Sequence, residues 1–247
     1  MILSDLHCHT KYSDGKGTVE EMVDAARKVG LKQLGITDHG LGHIAFGTSV
    51  AKLYQARECI DRLNAQYDDI EILLGIEANI YDSNGDLDLQ NADMGVFDYI
   101  VAGFHQIAKP KNILDYFRYN LRGIIPHHRS AREIKSTTRA FCNAINNSVM
   151  NAFTHPFYGL AMEIAPVAKA AINNGVFIEL NGKKVSMTDE QVLEFESYGV
   201  DFLLSSDAHS PDRVGDVSVP LSVVERVNLD KSRIVNWEKT VKLTKRW

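Results

Sequence analysis

Short apolar runs alternate with amphipathic segments along almost the whole of the 247-residue chain. The apolar runs predict strands at 2–8, 34–37, 71–79, 98–105, 151–156, 176–182 and 201–209. Helical spacing of apolar residues predicts helices over 18–30, 49–67, 137–148, 163–174 and 188–198, with two further helical segments at the end. Strands that alternate with helices indicate parallel βαβ units, and no linker interrupts them. We therefore expect an α/β fold, a closed TIM-like barrel that forms a single domain over residues 1–247.

Composition narrows the class of protein. Apolar residues make up 45% and charged residues 24% of the chain, as in ordinary globular proteins. The formal charge of −5 gives no electrostatic reason to expect nucleic acid or an anionic membrane as a bulk partner. Neither a signal peptide nor a membrane-spanning apolar stretch is visible. The three cysteines, Cys8, Cys59 and Cys142, are far apart and fit reduced thiols, so we expect a cytoplasmic protein.

Histidines cluster at the carboxyl ends of the predicted strands. In a parallel barrel these ends open onto one face, where active sites are built. Two acidic residues occupy the same kind of position, and scattered polar residues would rarely coincide in this way. The residues concerned are His7, His9, His39, His105, His155, His209, Glu77 and Asp207.

Strand alternation indicates which of these side chains point together. Residues i and i+2 share a face, so Asp5, His7 and His9 are expected on one side and Cys8 on the other. Two imidazoles aimed at one point suit a first-row metal ion. A bridging carboxylate such as Glu77 can hold two ions a few ångströms apart.

Each of these residues has a simpler interpretation when it is taken alone. A strand-end histidine is usually solvated, Glu77 would be a solvated strand exit, and Asp207 a turn or a helix cap. Together they favour a metal centre. Cys8 is expected to pack as a small hydrophobic residue. Other residues are expected to pack or to face solvent or substrate rather than bind metal: Cys59, Cys142, His43, His127 and His128.

Six short motifs carry a family resemblance. They are DLHCHT at 5–10, ITDHG at 36–40, GIEAN at 75–79, AGFH at 102–105, THP at 154–156 and SSDAH at 205–209. With these motifs, in this order, the sequence resembles the PHP (polymerase and histidinol phosphatase) superfamily of metal-dependent phosphoesterases, in its stand-alone phosphatase branch. The resemblance implies a distorted (β/α)7 barrel with a centre of two or three divalent ions, drawn from Zn, Mn and Fe.

The resemblance also implies a ligand set. The first ion would be held by His7, His9, Glu77 and Asp207, and Glu77 would bridge to a second ion completed by His105 and His155. A third ion would take His39, His209 and, from the YSDG loop, Asp14. Asp5 and Asp38 are expected to support ligating imidazoles through their free N–H groups.

The implied reaction is hydrolysis of a phosphate ester by a metal-activated hydroxide, with a catalytic set of Glu77, Asp207 and His209. A small phosphomonoester is the expected substrate. Phosphate recognition is expected to use an arginine, first Arg213 and then Arg129 or Arg132, although each could be a solvated surface residue.

Other functions remain open at this stage. A nuclease or phosphodiesterase acting on nucleotides or DNA ends could use the basic segment 118–135, which follows Tyr116 and Phe117 and contains Tyr119. A histidinol-phosphate phosphatase is less favoured, because no sequence motif indicates a pocket for histidinol. A non-enzymatic barrel with a structural metal is disfavoured, because the ligand set is complete. The oligomeric state is not indicated.

Overall fold

The computed structural model describes residues 1–89, 92–105, 129–147, 149–245 and 247. Eight short strands run through them, and most of their residues are buried. The strands are β1 Ser4–Asp5, β2 Gln33–Ile36, β3 Glu71–Leu74, β4 Glu77–Asn79, β5 Val101–Gly103, β6 Ala152–Phe153, β7 Phe177–Asn181 and β8 Phe202–Ser205.

Helices separate most of the strands. Within the described ranges they are α1 Val19–Val29, α2 Val50–Gln66, α3 Ala131–Asn147, α4 Ile164–Asn174, α5 Asp189–Tyr198 and α6 Ser218–Val227. Short 3-10 turns lie at Met94–Val96, Pro211–Arg213 and Lys231–Arg233. None of these helices is long and apolar enough to cross a membrane.

All the strand pairs are parallel, and they form two sheets. One sheet has the order β1-β2-β3 and the other the order β4-β5-β6-β7-β8. Isolated parallel bridges join the sheets beyond their regular ladders, between Cys8 and Ala208 on one side and His39 and Glu77 on the other. The α/β prediction is confirmed, and strand follows strand in chain order as βαβ units require.

The strand predicted over 71–79 is divided between the two sheets. β3 ends at Leu74 and β4 begins at Glu77, so the chain changes sheet at Gly75 and Ile76. The buried ring of Tyr99 occupies the space here, and a Cβ on Gly75 would lie 2.6 Å from it. The Tyr99 hydroxyl donates a 2.8 Å hydrogen bond to the carbonyl oxygen of Leu6. The predicted sequence of strands is therefore right, but one strand is broken around an aromatic side chain.

Helix α3 begins six residues earlier than its apolar spacing predicts. Ser130 and Glu133 form a capping box, in which the Glu133 N–H donates to the Ser130 hydroxyl and Glu133 Oε2 accepts from the Ser130 N–H at 2.8 Å. The first turns of α3 are largely exposed, whereas buried residues begin at Thr137. Hydrophobic periodicity could not detect that exposed start.

Buried apolar side chains form two clusters. The larger one includes strand residues such as Ile36 and Leu74 together with residues of all six helices. The smaller cluster combines the strand residues Val101, Ala152 and Leu203 with Leu6, Tyr99 and Val241. These clusters fix the strands, and the segments that leave the strands' carboxyl ends carry the polar residues described next.

Candidate metal centre

Eight of the nine predicted ligands converge, and seven of them follow the carboxyl end of a strand. His7 and His9 follow β1, His39 follows β2, and Glu77 opens β4 beside it through the bridge between the sheets. The remaining four follow β5, β6 and β8, namely His105, His155, Asp207 and His209. Parallel topology thus brings together residues that are far apart in the sequence.

Glu77 lies at the middle of the cluster and is 1% exposed. Its Oε1 is 3.2 Å from His7 Nε2, 3.2 Å from His105 Nε2 and 2.9 Å from His155 Nε2. Its Oε2 is 2.8 Å from His39 Nδ1. A carboxylate with imidazoles on both oxygens is placed as a bridging ligand would be.

A first group of ligand atoms comes from the ends of β1 and β8. His7 Nε2 and His9 Nε2 are 3.2 Å apart. Asp207 Oδ1 lies 3.8 Å from the first of these nitrogens and 3.4 Å from the second. These three atoms lie close enough to share one ion.

Asp14 brings the loop after His9 into a second group. Its Oδ2 lies 3.2 Å from His209 Nε2 and 3.6 Å from His39 Nε2, and its Oδ1 lies 3.6 Å from His9 Nδ1. The loop is tight here, because a Cβ on Gly15 would lie 2.3 Å from the carbonyl oxygen of His9. An oxygen ligand therefore accompanies the imidazoles of this group.

Several of these atoms approach one another without forming hydrogen bonds. His39 Nδ1 and Glu77 Oε2 are 2.8 Å apart, yet both are buried and neither has a hydrogen-bond partner. Asp207 Oδ1 is likewise buried and has no hydrogen-bond partner. Nitrogen and oxygen atoms that lie this close without hydrogen-bond geometry fit a divalent ion, which would contact all of them at once.

The pKa values show how strongly the groups influence one another. Burial lowers the pKa of His9 to about 3. Burial also opposes protonation of His39, but the carboxylates of Glu77 and Asp14 raise its pKa to about 10. The surrounding imidazoles lower the pKa of Glu77 despite its burial, and those of His7 and His9 do the same for Asp207. The carboxylates are therefore ionised and need cations beside them.

Glu179, which the sequence analysis did not identify, supports the first group. Its Oε1 accepts a 2.6 Å hydrogen bond from His7 Nδ1, and its Oε2 accepts one of 2.7 Å from the backbone N–H of His155. A proton held on Nδ1 leaves Nε2 of His7 free to bind an ion. The sequence contains a pattern that could have identified Glu179, because Glu179 and Asn181 are i and i+2 at the carboxyl end of β7 and so share one face of the strand.

His105 has a support of the same kind. Its Nδ1 lies 2.6 Å from the side-chain oxygen of Asn79, which directs Nε2 toward Glu77. Asn79 in turn donates to the carboxylate of Asp88. An amide from β4 thus orients an imidazole that follows β5.

Neither Asp5 nor Asp38 hydrogen-bonds to a ligand imidazole, so the prediction that they support these rings directly is wrong. Asp5 accepts from the backbone N–H and hydroxyl of Ser206 and from the N–H of Gly215. Asp38 accepts from the N–H and hydroxyl of Thr10 and from the Ser13 hydroxyl. Both carboxylates fasten the loops that carry ligands, rather than the ligands themselves.

Asp5 differs because regular strand geometry ends there. β1 stops at Asp5, Leu6 then packs with Tyr99 and Leu203, and strict alternation is not carried through to His7. Cys8 points away from the imidazoles, as predicted. It is fully buried, lies 3.7 Å from the Ser206 hydroxyl, and burial raises its pKa well above the usual value.

A cavity of about 260 Å³ opens onto the cluster. His43 lines it and stacks on His39 with ring centroids 4.5 Å apart. Nδ1 of His43 accepts a 3.0 Å hydrogen bond from the Phe46 N–H, so the neutral ring carries its proton on Nε2. Burial, together with His39 and His105, lowers the pKa of His43 to about 4, and the ring is neutral at pH 7. This agrees with the prediction that His43 faces substrate or solvent.

None of the three predicted arginines lines this cavity among the described residues. Arg213 is paired with Asp216, Arg129 donates to the carbonyl oxygen of Gly159, and Arg132 lines a different cavity. The cavity is lined instead by two lysines, Lys183 and Lys184.

Lys183 makes the closer approach to the cluster. Its Nζ lies 2.9 Å from His209 Nε2 and 3.6 Å from Asp207 Oδ1. The turn that presents it is held by Asn181, whose side-chain oxygen accepts the Lys183 N–H at 2.9 Å. The Asn181 amide also donates to Glu179 and Asp207 at 3.1 Å each.

Part of the basic segment considered for nucleic acid lies outside the described residues. This applies to Tyr116, Phe117, Arg118, Tyr119 and Arg122. It applies also to His127 and His128.

Comparison with known proteins agrees with this geometry. The family model described as the PHP domain matches residues 5–183. A probable phosphatase of Caldicellulosiruptor saccharolyticus is 28% identical over 242 residues, which cover 94% of this chain and 90% of that protein. The DNA polymerase/3'-5' exonuclease PolX of Bacillus subtilis is 24% identical over 245 residues, which cover 95% of this chain but only 39% of the polymerase.

Solved structures share the fold at low sequence identity. Histidinol phosphate phosphatase from Lactococcus lactis, solved with zinc, L-histidinol and phosphate, has a TM-score of 0.62 and 16% identity, and the match covers 92% of this chain and 94% of that one. A chain from the crystal structures of YwqE from Bacillus subtilis and CpsB from Streptococcus pneumoniae, which are metal-dependent tyrosine phosphatases, has a TM-score of 0.51 and 17% identity. The match covers 93% of this chain and 89% of that one. These likenesses agree with the predicted TIM-like architecture.

We expect His7→Ala to remove bound metal and Cys8→Ala to retain it. His7 contributes a nitrogen to the first group, whereas the Cys8 thiol packs behind it against Ser206. Metal content per chain, measured by mass spectrometry after dialysis, should fall in the first variant and match the wild type in the second. The opposite pattern would mean that the orientation of the segment after β1 is wrong.

We expect Glu179→Gln to weaken metal binding by about 10- to 100-fold, because His7 loses the carboxylate that orients it. Competition with a chromophoric chelator would measure the change. Glu194→Gln, an exposed position on α5, is the matched control and should leave affinity unchanged. Equal affinities in the two variants would contradict a positioning role for Glu179.

Proposed function

Because the chain belongs to the PHP domain family, we propose that it is a metal-dependent phosphatase that acts on a small phosphomonoester. One observation carries the proposal. The same cavity is lined by the convergent imidazoles and carboxylates and by two lysines, Lys183 and Lys184. A centre for cations and a site for an anion are thereby combined.

The ions would be held by the sets of residues that the family resemblance implies. These sets are His7, His9, Glu77 and Asp207; Glu77, His105 and His155; and Asp14, His39 and His209. The chemistry that divalent ions supply in such a centre is activation of water near neutral pH and neutralisation of charge on phosphoryl oxygens. The mixture of nitrogen and oxygen ligands suits Zn, Mn or Fe.

The lysines are the proposed phosphate contacts of the chain itself. An ammonium group near phosphate oxygens makes charge-assisted hydrogen bonds. Lys183 lies beside Asp207 and His209, so an anion bound at the cluster would be within its reach. Because Asn181 accepts the backbone N–H groups of both lysines, the turn is fixed before substrate arrives.

Aromatic side chains flank the cavity and would contact the leaving group. Phe46 is 45% exposed, and its ring lies 5.5 Å from that of His43. Tyr158 is 46% exposed and lies 5.4 Å from the ring of His155. The protonated Nε2 of His43 is a further donor lining the cavity. A volume near 260 Å³ suits a small organic phosphate better than a polymer.

The relatives support the same class of reaction. The probable phosphatase matches this chain over almost the full length of both proteins. The polymerase and exonuclease has a larger architecture, of which this chain corresponds to 39%. An exonuclease-like activity and histidinol-phosphate hydrolysis are therefore retained as alternative outcomes of the test.

Parallel assays of the purified, metal-loaded protein test the proposal. We expect hydrolysis of p-nitrophenyl phosphate, abolished by EDTA and restored by Zn²⁺ or Mn²⁺. Bis(p-nitrophenyl) phosphate, a labelled oligonucleotide and histidinol phosphate are assayed beside it. Cleavage of the oligonucleotide alone would replace the phosphatase proposal with the nuclease alternative. Absence of EDTA-sensitive activity toward all four substrates would refute the proposed enzymatic function.

We expect Lys183→Met to raise KM for p-nitrophenyl phosphate by about tenfold or more, because one charge-assisted contact is lost. The inhibition constant of inorganic phosphate should rise in parallel. Arg213→Met is the matched control, since Arg213 is engaged with Asp216 and does not line the cavity. A rise in KM for the Arg213 variant alone would restore the arginine prediction.

A further inference from the structure

A second cavity, of about 620 Å³, lies between α3 and the loop that follows β4. Among the described residues, it shares no lining residue with the cavity of the metal centre. Its described lining is Ser83, Asn84, Ala131, Arg132, Lys135, Ser136, Arg139 and Asn143.

Three cations project from one face of α3 into this cavity. Arg132, Lys135 and Arg139 are spaced i, i+3 and i+7, which places them along one side of a helix. All three are exposed, and no ion pair joins them to an acidic residue among the described residues. The nearby Glu133 is engaged in the helix cap with Ser130. The positive charge of this face is therefore not neutralised within the described part of the chain.

The opposite wall of the cavity is fixed by close packing. Gly85 has a φ of 81°, and a Cβ there would lie 2.2 Å from the backbone nitrogen of Ala144 in α3. The carboxylate of Asp82 is turned inward, where it accepts the N–H groups of Asn84 and Asp86. Asp82 is only 2% exposed, so it does not present its charge to the cavity.

We propose that this cavity binds a small ligand that carries at least two phosphate groups. Three cations separated by successive helical turns can contact more than one phosphate, and the hydroxyl and amide groups around them add hydrogen bonds. The volume lies within the range of small-molecule sites. The chain as a whole carries a charge of −5, so the cavity is a local exception.

Nucleic acid fits the described lining less well. Binding of single strands normally combines phosphate contacts with aromatic platforms for the bases. No aromatic residue lies among the eight described lining residues. The proposal therefore commits to a small ligand, and oligonucleotide binding is an outcome of the test.

Fructose 1,6-bisphosphate is a suitable probe, because its two phosphates are separated and its molecular volume is smaller than the cavity volume of about 620 Å³. Isothermal titration would compare the metal-loaded wild type with the variant Arg132→Gln/Lys135→Gln/Arg139→Gln. The control variant Lys28→Gln/Lys169→Gln/Lys242→Gln removes the same charge from exposed positions outside the cavity. Each protein is also titrated in the His7→Ala background, which disables the metal centre and prevents consumption of the ligand.

We expect the cavity variant to bind the bisphosphate about tenfold or more weakly than the control in both backgrounds. Hydrolysis of p-nitrophenyl phosphate should be equal in the two triple variants, and circular dichroism should verify their folding. Equal affinities in the two variants would overturn the proposal. A labelled oligonucleotide is titrated in the same way. If the cavity variant lost affinity for the oligonucleotide but not for the bisphosphate, the assignment to a small ligand would be overturned. Bisphosphate binding that depends on the three cations, in a metal-loaded wild type that hydrolyses no phosphomonoester, would support the cavity while refuting the proposed function.

Discussion

The carboxylate of Glu77 is 1% exposed and lies within 3.4 Å of nitrogen atoms from five imidazoles. Burial of a carboxylate is strongly unfavourable unless cations and hydrogen bonds compensate for it. Parallel strands meet this constraint, because their carboxyl ends bring residues from distant parts of the sequence to one point. The bridge between His39 and Glu77 joins the two sheets at the same place. The residue that carries this buried charge therefore also takes part in one of the two bridges that join the sheets.

The sequence predicts the order of strands and the convergence of strand-end ligands because both depend on local patterns and on parallel topology. It fails where a side chain interrupts local regularity. Tyr99 fills the space beside Gly75 and divides the strand predicted over 71–79. At the first strand, alternation holds for His7, Cys8 and His9 but not for Asp5, because β1 ends there. Period-two reasoning is valid only while the strand is regular.

The residues that the sequence analysis missed belong to β7 and the turn after it. Glu179 and Asn181 follow the same strand-end alternation that identified other ligands, but the resemblance drew attention only to motif residues. Lys183 was less visible, because its position depends on the turn that Asn181 fixes and not on a strand. The same amide contacts Asp207, so the predicted ligand and the lysine are held by one side chain. Such an arrangement is a property of tertiary structure and has no periodic signature.

The position of α3 relates the two cavities. Asn147 ends the helix shortly before β6, so its first turns lie toward the carboxyl ends of the strands, where the metal centre is. A helix of 17 residues extends about 25 Å, and Arg132 lies near its beginning while Arg139 lies two turns further along. The loop containing Asn84 also leaves a carboxyl end, that of β4. The loop packs against Ala144, near the end of α3, so the second cavity extends along most of the helix, whereas the metal centre takes its ligands from strand ends. Because the described linings of the two cavities have no residue in common, changes in the helix face can alter one site while the buried cluster around Glu77 is preserved.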